Sequence, residues 1–268
     1  MIRTIMDRKS VRSYNGNGLT DEELLELKEF ASSIDSPFGV PVEFRFLDAA
    51  EHGLTSPVLT GVKTYVAGKV SVRPAADLSF GYAFEKLLLH AVSMELGTVW
   101  IAGTMDRKAF EKAMELNDGE IMPCMSPLGH PAPKRSMRET LMRKGVRADS
   151  RIEPDKLFFI NDFENPVSEP LTGDMSECLE TVRWAPSAVN KQPWRVVISG
   201  DSIHFFEHHD KGYVQPNGTD LQKVDLGIAI CHFDLALEEK GISHEFIMED
   251  PGLALPEDTE YIATFILK

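Results

Sequence analysis

Cysteine is scarce in this chain of 268 residues. The three cysteines, Cys124, Cys178 and Cys231, are far apart and form no Cys-x-x-Cys pair. That spacing excludes a disulfide framework and gives no sign of a zinc site. A chain of this length can bury roughly 70% of its unfolded surface, so it needs neither kind of cross-link. We therefore expect a reducing, cytoplasmic setting.

Positive charge is also in deficit, with 28 Lys and Arg against 42 Asp and Glu, a net charge of −14. Such an acidic chain repels nucleic-acid backbones and anionic lipid, so binding either would need a strong local basic patch. No apolar run approaches the roughly 18 residues of a membrane-spanning helix, and the first residues lack a signal-peptide core. We expect a small-molecule substrate, with neither nucleic acid nor membrane as a partner.

The cations that are present gather in two segments. In the first, Arg8-Lys9-Ser10-Val11-Arg12, an extended backbone would project residues 8, 10 and 12 to one side. Two guanidinium groups and a hydroxyl suit a phosphate, and a solvated basic run is the alternative. The second segment, residues 134–151, has seven basic residues against two acidic ones. It could add phosphate contacts or simply balance the acidic surface.

Two further segments could contact a flat ligand. In residues 184–194, two prolines restrict the backbone while Asn190 and Gln192 supply amide groups, which suits reading the edge of a heteroaromatic ring. A capped connection around a core tryptophan is the alternative. Residues 97–103 place backbone N–H groups among small residues, which permits close approach. An ordinary helix end followed by a strand is the alternative there.

The histidines predict no metal site. His208 and His209 would point apart on a strand and so could not share a metal ion. Because Lys211 and Gly212 follow, we expect these histidines to lie with Glu207 and Asp210 in a solvated turn. His232 and its neighbour Cys231 lie in an apolar helical stretch and are expected in the core. We assign no metal ligand and no catalytic side chain.

The order of predicted elements repeats along the chain. Each half predicts a helix, a loop, a strand and then a long apolar helix with a glycine near its start. At a shift of 146 residues, Gly81 falls on Gly227 and Leu89 on Leu235. The repeat predicts a duplication, with one cooperative domain built from half-repeats of about 1–160 and 161–268. No Gly-x-Gly-x-x-Gly follows a strand, so a dinucleotide-binding fold is not expected.

Four segments resemble motifs of the FMN-dependent nitroreductase family. Residues 8–12 resemble its R-x-S-x-R opening, and residues 185–194 its A-P-S-x-x-N-x-Q-P-W motif. Residues 96–103 are similar to its L-G-x-x-W-I-x-G loop, and residues 128–132 to its G-x-P-A element. The resemblance implies an α+β fold with a mixed, mainly antiparallel sheet flanked by helices. It also implies hydride transfer from NAD(P)H through FMN to a small organic acceptor, with the hard chemistry left to the flavin.

The proline-rich motif lies in the other half of the chain from R-x-S-x-R, whereas family members carry both close together. Fusion of the family homodimer would explain this, because each FMN there lies at the subunit interface. The chain resembles the duplicated branch called TM nitroreductases, which implies a monomer with one FMN. The residues that the resemblance assigns to FMN comprise a phosphate group, a ring-edge group and two backbone donors: Arg8, Lys9, Ser10, Arg12 and Arg135; Pro186, Ser187, Ala188 and Asn190; Ala102 and Gly103.

A second flavin site is not expected. Its phosphate segment would contain Asp162, Phe163 and Glu164, of which the two acidic residues repel a phosphate, and Ser36 would replace the asparagine. The alternative function is that of a flavin-binding carrier or sensor without reductase activity.

Overall fold

The computed structural model describes residues 1–134, 140, 145, 150–168 and 171–268. Arg135, assigned above to the phosphate, lies outside them. The helices and strands are α1 (Ile2–Asp7), α2 (Asp21–Ser33), α3 (Ala76–Ser93), α4 (Arg107–Ala113), α5 (Gly173–Arg183) and α6 (Leu221–Lys240), with β1 (Glu43–Asp48), β2 (Thr64–Ser71), β3 (Glu120–Ile121), β4 (Met125–Leu128), β5 (Phe158–Ile160), β6 (Trp194–Ser199), β7 (Ser202–His208), β8 (His244–Ile247) and β9 (Thr259–Leu267).

The chain divides into two compact units, which we call unit N, Asp7–Ala148, and unit C, Met1–Met6 with Asp149–Lys268. Each has a sheet of its own. Within the described residues, no helix has the length and apolar character needed to cross a bilayer. The cooperative behaviour of the two half-repeats as one domain stays a prediction.

The sheet of unit N is antiparallel, with β2 paired to β1, β3 and β4. Helix α2 begins at a capping box in which Thr20 Oγ1 accepts from the Glu23 N–H and the Glu23 carboxylate accepts from the Thr20 N–H. Helix α3 packs on β2 and α2 and buries Phe80 and Phe84 completely. An apolar helix of this kind is stable only when other elements cover it.

The sheet of unit C has the order β5-β6-β7-β9-β8, with only the β5–β6 pair parallel. Helix α6 packs against α5, β6 and β7, and all but one of its residues from Gln222 to Leu237 are buried. The exception is Lys223. Glu239, near the end of α6, accepts from the Ile2 N–H at 2.7 Å and ties α1 to this unit.

The fold class is confirmed: helices accompany a mixed, mainly antiparallel set of strands. The repeated order is also visible, as α2-β1-β2-α3 in unit N and α5-β6-β7-α6 in unit C. Gly81 and Gly227 are both buried in their long helices. Strands β5 and β8 were not predicted, because β5 has three residues and β8 four, too few for a clear alternation.

Candidate functional site

The segment Arg8–Tyr14 is held within unit N by isolated backbone bridges at Ser10, Ser13 and Tyr14. The Val11 N–H donates to Thr98 O at 2.9 Å, and the Tyr14 N–H donates to Thr60 O at 2.9 Å. Arg8, Ser10 and Arg12 are half-buried, whereas Lys9 is exposed and Val11 is buried. Because Lys9 and Val11 differ in burial, this pattern does not separate two sides of the segment, and the shared orientation of residues 8, 10 and 12 stays a prediction.

Backbone hydrogen bonds join this segment to two of the other predicted motifs. The Gly97 N–H donates to Gly129 O at 2.8 Å, and the Ala132 N–H donates to Ser13 O at 2.9 Å. Ser10 also forms a parallel bridge with Thr98. Residues 8–14, 97–103 and 128–132, which are far apart in sequence, therefore meet in unit N.

The meeting point depends on a glycine. A Cβ atom added at Gly97 would lie 2.8 Å from Val11 Cγ1 and 3.2 Å from Tyr14 Cε1. Tyr14 Oη lies 2.9 Å from Val11 O and 3.2 Å from Gly97 O, so its hydroxyl links the two chain segments. Only the absence of a side chain at Gly97 lets the strand approach this closely.

A buried carboxylate connects Arg8 to Trp100 in the 96–103 segment. Glu85 on α3 is fully buried, and its Oε1 lies 3.7 Å from Arg8 Nε. Its Oε2 accepts from Trp100 Nε1–H at 2.6 Å. A buried charge needs such partners, so Glu85 fixes Arg8 and Trp100 together. Sequence reasoning missed Glu85, although a lone acidic residue in an apolar helix is a detectable signal.

The Ala102–Gly103 loop presents two backbone donors. Among the described residues, neither N–H has a hydrogen-bond partner, and Gly103 is exposed. Arg107 holds the loop from behind, with Nη2 donating to Ala102 O at 2.9 Å and Nη1 to Met122 O at 2.7 Å. The loop therefore has one carbonyl that is held in place, and two N–H groups that can donate to a ligand. Sequence reasoning did not single out Arg107.

The proline-rich loop lies in unit C and has a strained backbone. Val189, Asn190 and Gln192 have φ angles of 46°, 61° and 54°. This left-handed region is rare for β-branched residues such as valine, and Val189 is also 62% exposed. Strain of this kind costs on the order of 1–3 kcal/mol and persists only where the surroundings enforce it.

Several hydrogen bonds enforce that conformation. The Ala188 N–H, assigned above to the flavin, donates to the Asp225 carboxylate at 2.9 and 3.1 Å. The Gln192 N–H donates to Ser187 Oγ at 2.9 Å, and Gln192 Oε1 accepts from the Ile152 N–H at 3.0 Å. Burial raises the pKa of the Asp225 carboxyl well above its usual range.

The loop's other polar groups also contact the protein. Asn190 Nδ2 donates to Ser150 O at 3.1 Å, and Pro186 precedes the turn without entering a hydrogen-bonded element. Trp194 is completely buried at the start of β6. The alternative interpretation, a core tryptophan, is thus correct for Trp194, and the rigid amide-bearing loop is present beside it.

The Glu207–Asp210 segment is not the solvated turn that we expected. Glu207 lies in β7 and is fully buried, with Oε1 3.0 Å from His209 Nδ1. Burial raises the pKa of Glu207, and the bond to Glu207 raises the pKa of His209. Strand β7 lies between β6 and β9, and all of its residues from Ile203 to Glu207 are buried, so Glu207 is covered although it is charged.

Asp220 lies close enough to complete a group of three potential metal ligands with Glu207 and His209. Local structure accounts for each member, because Asp220 caps α6 by accepting from the Gln222 N–H at 3.0 Å. The other two are hydrogen-bonded to each other. His232 and Cys231 are buried in α6, as expected, and His232 Nδ1 lies 2.9 Å from Thr181 O.

Comparison with protein families gives a match over most of the chain. A family model described as "Putative TM nitroreductase" matches residues 1–237. No curated protein matches the chain. Among solved structures, a nitroreductase described as putative, from Thermotoga maritima, is 18% identical with a TM-score of 0.63, covering 99% of this chain and 93% of that one. That likeness shows a shared fold.

Two shorter structures match about half of this chain. An FMN-dependent nitroreductase from Clostridium difficile is 18% identical with a TM-score of 0.42, covering 54% of this chain and 96% of that one. A protein described as a putative NADH dehydrogenase/NAD(P)H nitroreductase, from Bacteroides thetaiotaomicron, is 25% identical with a TM-score of 0.43, covering 50% of this chain and 88% of that one.

Proposed function

Because this chain belongs to the TM nitroreductase family, we propose that it is an FMN-dependent oxidoreductase that uses NAD(P)H to reduce a small organic acceptor. FMN would supply the hydride-transfer chemistry. The protein's contribution is then to bind, orient and stabilise. The proposal includes one FMN per chain and a monomer, as the fused arrangement implies.

The phosphate group of FMN is assigned to Arg8, Ser10 and Arg12, with Lys9 contributing positive charge. The Arg8 side chain is only 6% exposed and Arg12 is half-buried, which supports this assignment because desolvation strengthens a guanidinium–phosphate pair. The Glu85 carboxylate holds the Arg8 guanidinium in place. Such pre-ordering reduces the side-chain entropy that binding would otherwise cost. Arg135 remains a candidate for a further contact.

The isoalloxazine ring is assigned to two sets of polar groups. The Ala102 and Gly103 N–H groups, which no described residue accepts from, can donate to its polar edge. Donors fixed in advance stabilise negative charge that develops during reduction. Asn190 and the backbone of Pro186, Ser187 and Ala188 would read the polar edge of the ring, with Ala188 contributing its carbonyl because its N–H donates to Asp225. The joint use of the two segments rests on the family resemblance.

The observation that carries the proposal is the convergence of three family motifs on Gly97, with two backbone donors beside them. The direct test is anaerobic mixing of the FMN-loaded protein with NADH or NADPH. We expect the flavin absorbance to bleach within seconds and to return on adding a nitroaromatic or quinone acceptor. A flavin that stays oxidised would refute reductase activity and favour a carrier or sensor.

The phosphate assignment has its own test. Arg12→Glu should weaken FMN binding about 100-fold or more, because a charge-assisted contact is lost and a repulsive charge is added. Lys28→Glu on the exposed face of α2 changes the net charge equally and is the control. FMN affinity is measured by quenching of flavin fluorescence. Equal affinities of the two variants would refute the assignment.

A further inference from the structure

Asp225 is a buried carboxylate that accepts a hydrogen bond from the proline-rich loop. It lies on α6 and is 4% exposed. Among the described residues, its one hydrogen-bond donor is the Ala188 N–H, which lies 2.9 and 3.1 Å from its two oxygens. A carboxylate buried in this way is costly, and an apolar residue would fit the surrounding helix better. Among the described residues its hydrogen bonds are with the proline-rich loop alone, so we look for its effect in that loop.

That contact lies at the start of the strained part of the loop. Ala188 immediately precedes Val189 and Asn190, whose φ angles are 46° and 61°. Holding the Ala188 N–H fixes the direction from which the chain enters the left-handed turn. Further along, the Gln192 N–H is held by Ser187 Oγ at 2.9 Å, which fixes the exit. Of these two acceptors, Ser187 Oγ belongs to the loop itself, whereas the Asp225 carboxylate lies on a helix outside it.

The duplicated half provides an internal comparison. At the shift of 146 residues that aligns Gly227 with Gly81, Asp225 falls on Ser79. Ser79 is also buried and also contacts the loop before its sheet, but its hydroxyl donates to Val40 O at 2.5 Å. In that loop, residues 34–41, only Gly39 has a positive φ. At the equivalent positions of unit N, a serine therefore stands in place of the Asp225 carboxylate, and no residue other than glycine in the described loop 34–41 has a positive φ.

We propose that Asp225 is a positioning residue, which holds the 186–192 loop in the left-handed conformation that binds the flavin. The part of this inference that concerns the flavin rests on the proposed function, whereas the stabilisation of the loop conformation by Asp225 does not depend on that function. An acceptor at this position is what the loop requires, and a hydroxyl one atom shorter, as in the other half, would not reach the Ala188 N–H.

Three variants test this proposal. Asp225→Ala removes the acceptor, and Asp225→Asn keeps one through its side-chain oxygen. Ser79→Ala removes the corresponding buried hydrogen bond in the other half and is the matched control. If Asp225→Ala does not fold, Asp225→Ser replaces it, because a serine is already tolerated at the equivalent position of the other long helix. Thermal unfolding of every variant is recorded, so that loss of stability is separated from loss of the loop.

The first measurement is amide hydrogen exchange of residues 188–192 in the FMN-free protein. We expect exchange to be about tenfold faster in Asp225→Ala, and near wild type in Asp225→Asn and Ser79→Ala. The second is FMN affinity, which we expect to fall about tenfold in Asp225→Ala and less than threefold in the other two.

Unchanged exchange in Asp225→Ala, or an equal increase in Ser79→Ala, would overturn the hold on the loop. Faster exchange with unchanged FMN affinity would overturn the link to the flavin. If the wild-type protein binds no FMN at all, the proposed function fails, while the exchange result still decides whether Asp225 positions the loop.

Discussion

Replacing Gly97 with alanine should push the Arg8–Arg12 strand away from the loop that begins at Gly97. The added Cβ would lie 2.8 Å from Val11 Cγ1 and 2.9 Å from Val11 Cβ. Comfortable carbon–carbon contacts are about 3.5–4.0 Å, so one of the two segments must move by more than half an ångström. Val11 cannot yield by rotation, because a β-branched side chain has little choice of rotamer and is buried here.

The size of the effect follows from two opposing terms. Overpacking of a buried contact costs about 1–3 kcal/mol. Alanine also restricts the unfolded chain more than glycine, which returns about 0.4–1 kcal/mol. We therefore expect Gly97→Ala to lower the free energy of unfolding by about 1–2 kcal/mol. Because the displaced strand carries Arg8 and Arg12, FMN affinity should fall as well, about tenfold.

Urea unfolding followed by circular dichroism measures the first effect, and flavin fluorescence quenching measures the second. Gly18→Ala is the matched control, because a Cβ there would meet nothing within 4 Å and its φ is not positive. The control should equal or exceed the wild type in stability and bind FMN normally. Wild-type stability and affinity in Gly97→Ala would refute the reasoning that close approach requires this glycine.

Three other perturbations have defined outcomes. Val189→Gly relieves the left-handed strain and should raise the free energy of unfolding by about 0.5–1 kcal/mol in urea titrations. A lower free energy of unfolding than in the wild type would contradict the strain at Val189. Glu85→Ala removes the acceptor of Trp100 Nε1–H and the carboxylate beside Arg8. It should lower the free energy of unfolding by about 3 kcal/mol. A change below about 1 kcal/mol would show that these contacts of Glu85 do not stabilise the fold. Burial raises the pKa of Asp225 above its unfolded value near 3.8, so the folded state binds the proton more tightly and loses stability as pH rises from about 4 through the folded pKa. The stability of Asp225→Asn relative to wild type should therefore increase over that window, and a constant difference would contradict the burial of a titrating carboxyl.

The elements that the sequence predicted are those with a strong local signal. Helices α3 and α6 have long apolar stretches, and α2 has a capping box at Thr20, so each is specified by residues close together in the chain. Strand β5 is different, because it is a strand only through parallel pairing with β6. A pairing partner more than thirty residues away leaves no mark on three residues of sequence.

The candidate site divides in the same way. The segments that we assign to the flavin were singled out because their motifs resemble those of a known family. The residues that support them from outside, Glu85, Arg107 and Asp225, belong to no motif and were missed. Two of these are acidic residues on apolar helices, and such residues are almost never buried without a partner. That rule indicates their importance from sequence, but the partner itself is visible only in the fold.

The number of flavins bound per chain tests the account most directly. The protein is loaded with excess FMN, freed of unbound flavin by gel filtration and denatured, and the released flavin is compared with the protein concentration. One FMN per chain is predicted, because only Arg8–Arg12 and the 186–190 loop match the binding motifs, while Asp162 and Glu164 would repel a second phosphate. A ratio near zero would contradict the flavin site, and a ratio near two would contradict the loss of its duplicate.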